Sequence, residues 1–195
     1  IKFDEATAIL AGDALQALAF QVLLQDDHQA KAKKDNRARM ALTLAQASGS
    51  AGMAGGQAMD LQAVGKNLSV DEIESVHKLK TGALIQASVH LGYLAGSSAD
   101  DTLETNLKRY AVCIGLAFQV QDDILDIEGQ TEVIGKPRGS DAGLDKPTYP
   151  ELLGMEGAKN TAKILCEEAK ECLTCLGEKS QRLKDVADYI ISRDR

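Results

Sequence analysis

Tryptophan is absent from this 195-residue chain, and aromatic residues make up only 4% of it. Alanine and leucine abound instead, a balance that favours helices over a β-sandwich. Basic residues are in deficit too: 22 Lys and Arg against 29 Asp and Glu leave a net charge of −7. With no broad basic surface to neutralise a phosphate backbone, nucleic acid is excluded as a partner. The short basic stretch Lys31 to Arg39 is expected to be a solvated helix start or loop. Four cysteines (Cys113, Cys166, Cys172, Cys175) lack the spacing of a disulfide scaffold. Cys172 and Cys175 form a C-x-x-C with no second Cys or His pair nearby in sequence, and read as helix residues three apart. No period-two strand pattern appears, nor a signal-peptide pattern, nor a phosphate loop ending in G-K-[ST]. No Ser-His-Asp or Cys-His arrangement stands out. His28, His77 and His90 are scattered, and His77 is expected to pack or to support other groups.

What is present is helix after helix, and 44% hydrophobic residues are enough to bury a core in one domain. Helices are expected over Asp4 to Leu24, Asp35 to Ala47, Gln57 to Val64, Ser69 to Leu94, and from Asp101 into an aspartate-rich segment. Two more, about Tyr149 to Gly177 and Arg182 to Arg193, close the chain. Ser69 and Glu72 form a capping box. The apolar stretch Ala6 to Leu24 contains Asp13, Gln16 and Gln21, so a buried helix is expected there rather than a membrane span. The glycines Gly49, Gly52, Gly55 and Gly56 read as close helix packing or a bend. Residues 128–147 form the one long irregular stretch, a length that is usually functional. Together these features suit a cytoplasmic, reducing location. The chain opens at Ile1, which suggests that it begins within a longer protein.

The anomaly lies between Phe118 and Asp126 (FQVQDDILD), where three carboxylates interrupt an otherwise apolar helix. Aspartate is rarely buried unless it is paired or bound to a cation. Asp122 and Asp126 stack on one helix face, Gln119 and Gly115 extend that stripe, and Asp123 lies about 100° round the axis. Gly129 is a plausible stop, which places the acids near a helix C-terminus, where the macrodipole favours cations. Hard oxygen donors there suggest magnesium shared with substrate phosphates. A solvated acidic helix end is the bland alternative, and the apolar neighbours weigh against it.

A second anomaly is Lys80, whose helical stripe companions are Ile73, Val76, Leu84, Ala87 and Leu91. A lysine on an apolar face either snorkels to water or meets an anion. Thr81 and Gly82 follow it with a hydroxyl and room for close approach. Lys136 and Lys146 stand on the long Gly- and Pro-rich loop. Carboxylates for a metal, an inward lysine and two loop lysines are equipment for a diphosphate whose departure must be assisted.

These residues also carry a resemblance. FQVQDDILD at 118–126, HKLKTGALI at 77–85, AILAGDALQALAF at 8–20 and GKPRGSDAGLDKPTYP at 135–150 resemble trans-prenyl diphosphate synthases, of the bacterial farnesyl diphosphate synthase type. The similarity runs nearly end to end and includes LKDVADYIISRDR at 183–195. It implies an all-α fold of packed helices around a central cavity, an isoprenoid-synthase bundle that is usually a homodimer. It implies condensation of isopentenyl diphosphate with an allylic diphosphate, in a Mg²⁺-dependent prenyltransferase reaction. Carried over, Asp122, Asp123 and Asp126 bind Mg²⁺ with the allylic diphosphate, and Lys80, Lys136 and Lys146 contact that diphosphate. Thr81 and Gln119 present oxygens to the developing allylic cation.

The family's first aspartate-rich motif and its N-terminal helices have no equivalent in these residues, and family members are roughly half as long again. Alternatives within the family are a geranyl or geranylgeranyl product, and a non-catalytic subunit of a heteromeric synthase. A terpene cyclase is disfavoured by the few aromatics and by the K-T-G lysine.

Overall fold

The computed structural model describes residues 3–25, 34–66, 68–96, 100–128 and 148–194. Lys136, Lys146, Gly129 and most of the 128–147 stretch therefore lie outside the described residues. Among the described residues every element is helical. In chain order they are α1 (Glu5–Leu24), α2 (Lys34–Ser48), α3 (Met53–Ala63), α4 (Val70–His77), a π-helical turn (Lys78–Gly82) and α5 (Ala83–Ala95). They continue with α6 (Asp101–Glu128), α7 (Tyr149–Cys172), a 3₁₀ segment (Thr174–Ser180) and α8 (Gln181–Ser192).

Local chemistry sets most of these boundaries. Asp4 caps α1 by accepting the Thr7 N–H at 2.8 Å. The capping box is present at α4: Glu72 donates its N–H to the Ser69 hydroxyl at 3.3 Å, and its carboxylate accepts the Ser69 N–H at 2.9 Å. Gly154 adopts φ +71° inside α7, a conformation that favours glycine, and marks a kink in that helix. Helix α7 ends at Cys172 and continues as the 3₁₀ segment, so Cys175 lies beyond the helix end. Both cysteines are free thiols.

Helix α6 is the axis of the fold. At 28 residues it is about 42 Å long. Tyr110, Ala117 and Val120 are fully enclosed against a row of small residues on α7, namely Ala158, Ala162, Cys166 and Ala169. Small side chains on both helices allow the axes to approach closely, and this pairing forms the core. Helices α5 and α8 complete it on one flank, and the Tyr110 hydroxyl donates to the Leu183 carbonyl at 2.7 Å. On the other flank Ile73 of α4 joins Val120, Ile124 and Tyr149.

Two sequence expectations are corrected here. Helix α1 is not buried: none of its residues reaches burial, and only Ala19, Phe20 and Leu23 are half-buried. Among the described residues it packs chiefly on α2, leaving Ile9, Leu10, Leu15 and Val22 in the open. By length and composition alone α1 is apolar enough to cross a membrane. The basic stretch is not wholly solvated either, because Arg37 is buried and donates to the Gln25 carbonyl at 2.8 Å, closing the α1–α2 corner.

Candidate active site

The helix expected from Ser69 to Leu94 forms over that span, with one irregularity at its centre. Lys78–Gly82 winds as a π-turn, so Lys80 and Thr81 sit on the widened segment. Such bulges are frequent at functional sites, because they re-aim side chains that a regular helix would fix. Glycines wedge this turn from two sides. A Cβ placed on Gly56 of α3 would lie 2.2 Å from the Lys80 nitrogen and 2.6 Å from its Cα. On the opposite side a Cβ on Gly115 of α6 would lie 3.3 Å from the Gly82 Cα. The turn carrying Lys80 is therefore held backbone to backbone between α3 and the aspartate helix.

The Lys80 stripe is placed as its pattern implied: Ile73, Val76 and Ala87 are buried, and Leu84 and Leu91 half-buried. The lysine itself does more than snorkel. Its Nζ meets Asp60 of α3 at 2.8 Å, with the Lys80 side chain 31% exposed and that of Asp60 16%. Asp60 did not emerge from the sequence, although it stands one helical turn beyond Gly56, on the same face.

Gly115, Gln119, Asp122 and Asp126 form one stripe of α6, beginning where Gly115 touches Gly82. Gln119 is buried and Thr81 half-buried. The three acids have different surroundings. The Asp122 side chain is 44% exposed and pairs with Arg193 at 3.1 Å. Asp123 is buried and accepts the Tyr149 N–H at 2.9 Å, satisfying an orphan donor in the first turn of α7. Asp126 is 2% exposed. Arg193 also stacks 4.1 Å over the Phe118 ring and donates to the Phe118 carbonyl at 3.2 Å. Its part in the site had no signal in the sequence, where it is one charge in a polar terminal run.

His77 closes α4, immediately before the π-turn. Its ring stacks on Tyr149 at 5.9 Å, and Lys80, Asp60, Asp122 and Glu74 are its charged neighbours. The charges of Lys80, Asp60 and Asp122 are all felt at this one imidazole. Burial, reinforced by the Lys80 charge, pushes the His77 pKa from 6.5 down to about 4, and its Nδ1 has no hydrogen-bond partner. A neutral His77 packs on the Tyr149 ring.

That depressed pKa carries a sign. Between pH 6.5 and about 4 the unfolded chain takes up a proton that folded His77 refuses. Stability is therefore fully present above pH 6.5 and is lost as pH falls through this window, by up to about 3 kcal/mol. Thermal melts against pH are expected to show this slope, and His77→Gln to flatten it. An unchanged slope in that variant would refute the assignment.

A concavity of about 520 Å³ opens between α6, α7 and the end of α8, lined by Gln121, Glu128, Lys159, Lys163 and Arg193. A more apolar one of about 570 Å³ lies between α5, α6 and α8, lined by Val89, Tyr93, Leu107 and Leu183. Neither is lined by Lys80 or Asp122.

Among the described residues no three or more His, Cys, Asp or Glu side chains gather closely enough to hold a metal ion alone. Magnesium is usually bound through only one or two carboxylates, with substrate phosphates and water completing its shell. The hard oxygens of Asp122 and Asp126, one turn apart with Asp122 half open, suit that shared mode.

The chain is similar to known proteins along nearly its whole length. The family model described as polyprenyl synthetase matches residues 1–190. The chain is 50% identical to farnesyl diphosphate synthase of Escherichia coli (strain K12), across 100% of this chain and 66% of that protein. It is 43% identical to farnesyl diphosphate synthase of Geobacillus stearothermophilus, covering 98% of this chain and 64% of the relative. Among solved structures, an FPP/GFPP synthase from Zymomonas mobilis aligns with a TM-score of 0.79 at 37% identity, over 96% of this chain and 62% of that one. A geranyltransferase from Helicobacter pylori, complexed with magnesium and isoprenyl diphosphate, aligns with a TM-score of 0.80 at 32% identity, over 97% and 61%. The chain thus spans a little under two thirds of the length of these relatives, and over that span it belongs to the polyprenyl synthetase family.

Proposed function

We propose that this chain carries part of the active site of a farnesyl diphosphate synthase, a cytoplasmic homodimer. The reaction joins isopentenyl diphosphate head to tail to dimethylallyl or geranyl diphosphate. The allylic carbon–oxygen bond breaks, a carbon–carbon bond forms to the isopentenyl alkene, and a proton leaves the resulting cation. The observation that carries this reading is the π-turn bearing Lys80 and Thr81, which is packed against the aspartate helix where a Cβ on Gly115 would lie 3.3 Å from the Gly82 Cα. The names of the relatives at 43–50% identity support the farnesyl product.

In this reading Asp122, Asp123 and Asp126 hold Mg²⁺ and Lys80 contacts the allylic diphosphate, joined by Lys136 and Lys146 from outside the described residues. When bound, the metal neutralises charge building on the departing diphosphate. Lys80 supplies a fixed positive charge to the same group, which is worth most in a site that excludes water. Thr81 on the turn and Gln119 on the aspartate stripe offer neutral oxygens to the allylic cation. The departing diphosphate is itself basic enough to take the proton, so no protein base is required, in keeping with a neutral, enclosed His77. The apolar face that α1 leaves open supports a partner subunit packing there.

The test is an assay of the full-length protein with geranyl and isopentenyl diphosphates, with and without Mg²⁺. A C15 diphosphate and released pyrophosphate are expected only with the metal. Absence of both products would overturn the reading.

A further inference from the structure

We infer that Asp60 is the positioning residue for Lys80: α3 holds the lysine at two points, its backbone through Gly56 and its ammonium through Asp60. The inference rests on the proposed contact between Lys80 and the diphosphate.

Three observations converge on it. Gly56 and Asp60 are four apart on α3, so they share one face. At Gly56 that face meets the main chain of Leu79 and Lys80 so closely that no Cβ fits between them. One turn on, the Asp60 carboxylate takes the Lys80 Nζ at 2.8 Å, in a part-buried place where water competes less for either charge. A lysine side chain has four rotatable carbons and no preferred aim of its own. On a π-turn, where the helix no longer dictates the direction of the stem, the ammonium needs a second anchor. Asp60 provides it and uses one of the three donors of the ammonium, leaving two for an incoming anion. The pair also keeps a half-buried positive charge compensated before substrate arrives.

The experiment is a double-mutant cycle in the full-length protein, built from Asp60→Asn, Lys80→Met and their combination. Asp60→Asn keeps the shape and removes the charge. It is expected to lower kcat by about 10- to 100-fold, the scale of losing orientation at a reacting group. The KM for isopentenyl diphosphate should hardly move, since Lys80 addresses the allylic partner. In the Lys80→Met background Asp60→Asn should cost no further turnover, because its positioning role is exerted through that lysine. Asp60→Glu, which keeps the charge, should restore part of the loss. Pyrophosphate titrated calorimetrically in the presence of Mg²⁺ should bind equally weakly to Lys80→Met and to the double variant.

Wild-type kcat in Asp60→Asn, or losses that add in the double variant, would overturn the inference while leaving the proposed function standing. Normal turnover in Lys80→Met would overturn both. Should Asp60→Asn fail to fold, judged by its thermal midpoint, the cycle is run with Asp60→Ser. Failure of both neutral variants to fold would mark Asp60 as a structural residue and overturn the positioning role.

Discussion

Asp122→Ala is expected to abolish most synthase turnover while leaving the fold nearly untouched. Asp122 is the one acid of the three whose carboxylate is substantially open, at 44% exposure, while Asp123 and Asp126 are buried. If its oxygens share a metal with the diphosphate, removing them forfeits several kcal/mol of assistance to the leaving group. At about 1.4 kcal/mol per decade, that is a loss of about 10³-fold or more in kcat. The stability cost is set by different contacts. Asp122 is 44% exposed, so solvent screens its pairing with Arg193 and the pair is worth about 1 kcal/mol at most. Arg193 retains its stacking on Phe118 and its bond to the Phe118 carbonyl. Turnover and thermal midpoint, measured on the same preparation of full-length protein, should therefore separate. Near-normal turnover in the variant would remove Asp122 from the metal site, and a collapse of the midpoint would show that its role is structural.

Asp123 is expected to differ in its effect on stability. Its carboxylate takes the Tyr149 N–H at the start of α7, so removing it should cost stability as well as activity. The acids look alike in the sequence, and only their partners distinguish them.

That contrast shows where the sequence is legible. The aspartate stripe, the Lys80 stripe, the Ser69–Glu72 cap and the α6 helix all follow from local rules: helical period, capping chemistry and the improbability of charge in an apolar run. The readable site residues are those whose anomaly lies within one element. Asp60 and Arg193 become site residues only through contacts 20 and 71 positions away. Neither is unusual within its own segment, so no periodicity marks it. Gly56 is an intermediate case. Its run of glycines signals either a bend or close packing, and both occur: Gly49 and Gly52 turn the chain between α2 and α3, while Gly56 admits the main chain of another element. The misread helix was α1, whose composition fits a buried helix equally well, because composition does not say what lies over a face. The π-turn was also invisible, since a single widened turn leaves the hydrophobic stripe on either side of it almost in phase.

Gly56→Ala is the second large effect expected, and it acts through the main chain. The added methyl would sit 2.2 Å from the Lys80 nitrogen and 2.7 Å from the Leu79 carbonyl carbon. Neither atom is the movable end of a side chain, so either α3 or the π-turn must shift by about 1 Å to restore ordinary contact. The turn is backed on its far side by Gly115 of α6, only 3.3 Å from Gly82 as a Cβ would meet it, which leaves little room to retreat. Overpacking of this kind costs about 3 kcal/mol, or about 6–12 °C of melting midpoint for a domain of this size. A displacement of that size at Lys80 also costs about 100-fold in turnover, because the ammonium then no longer meets the diphosphate squarely. Gly92→Ala is the matched control. Gly92 stands in α5 with nothing within 4 Å of a built Cβ, so alanine there should hold or raise the midpoint, by about 1 kcal/mol of helix propensity. Equal effects of the two substitutions on midpoint and turnover would mean that the contact between α3 and the π-turn does not set the position of Lys80.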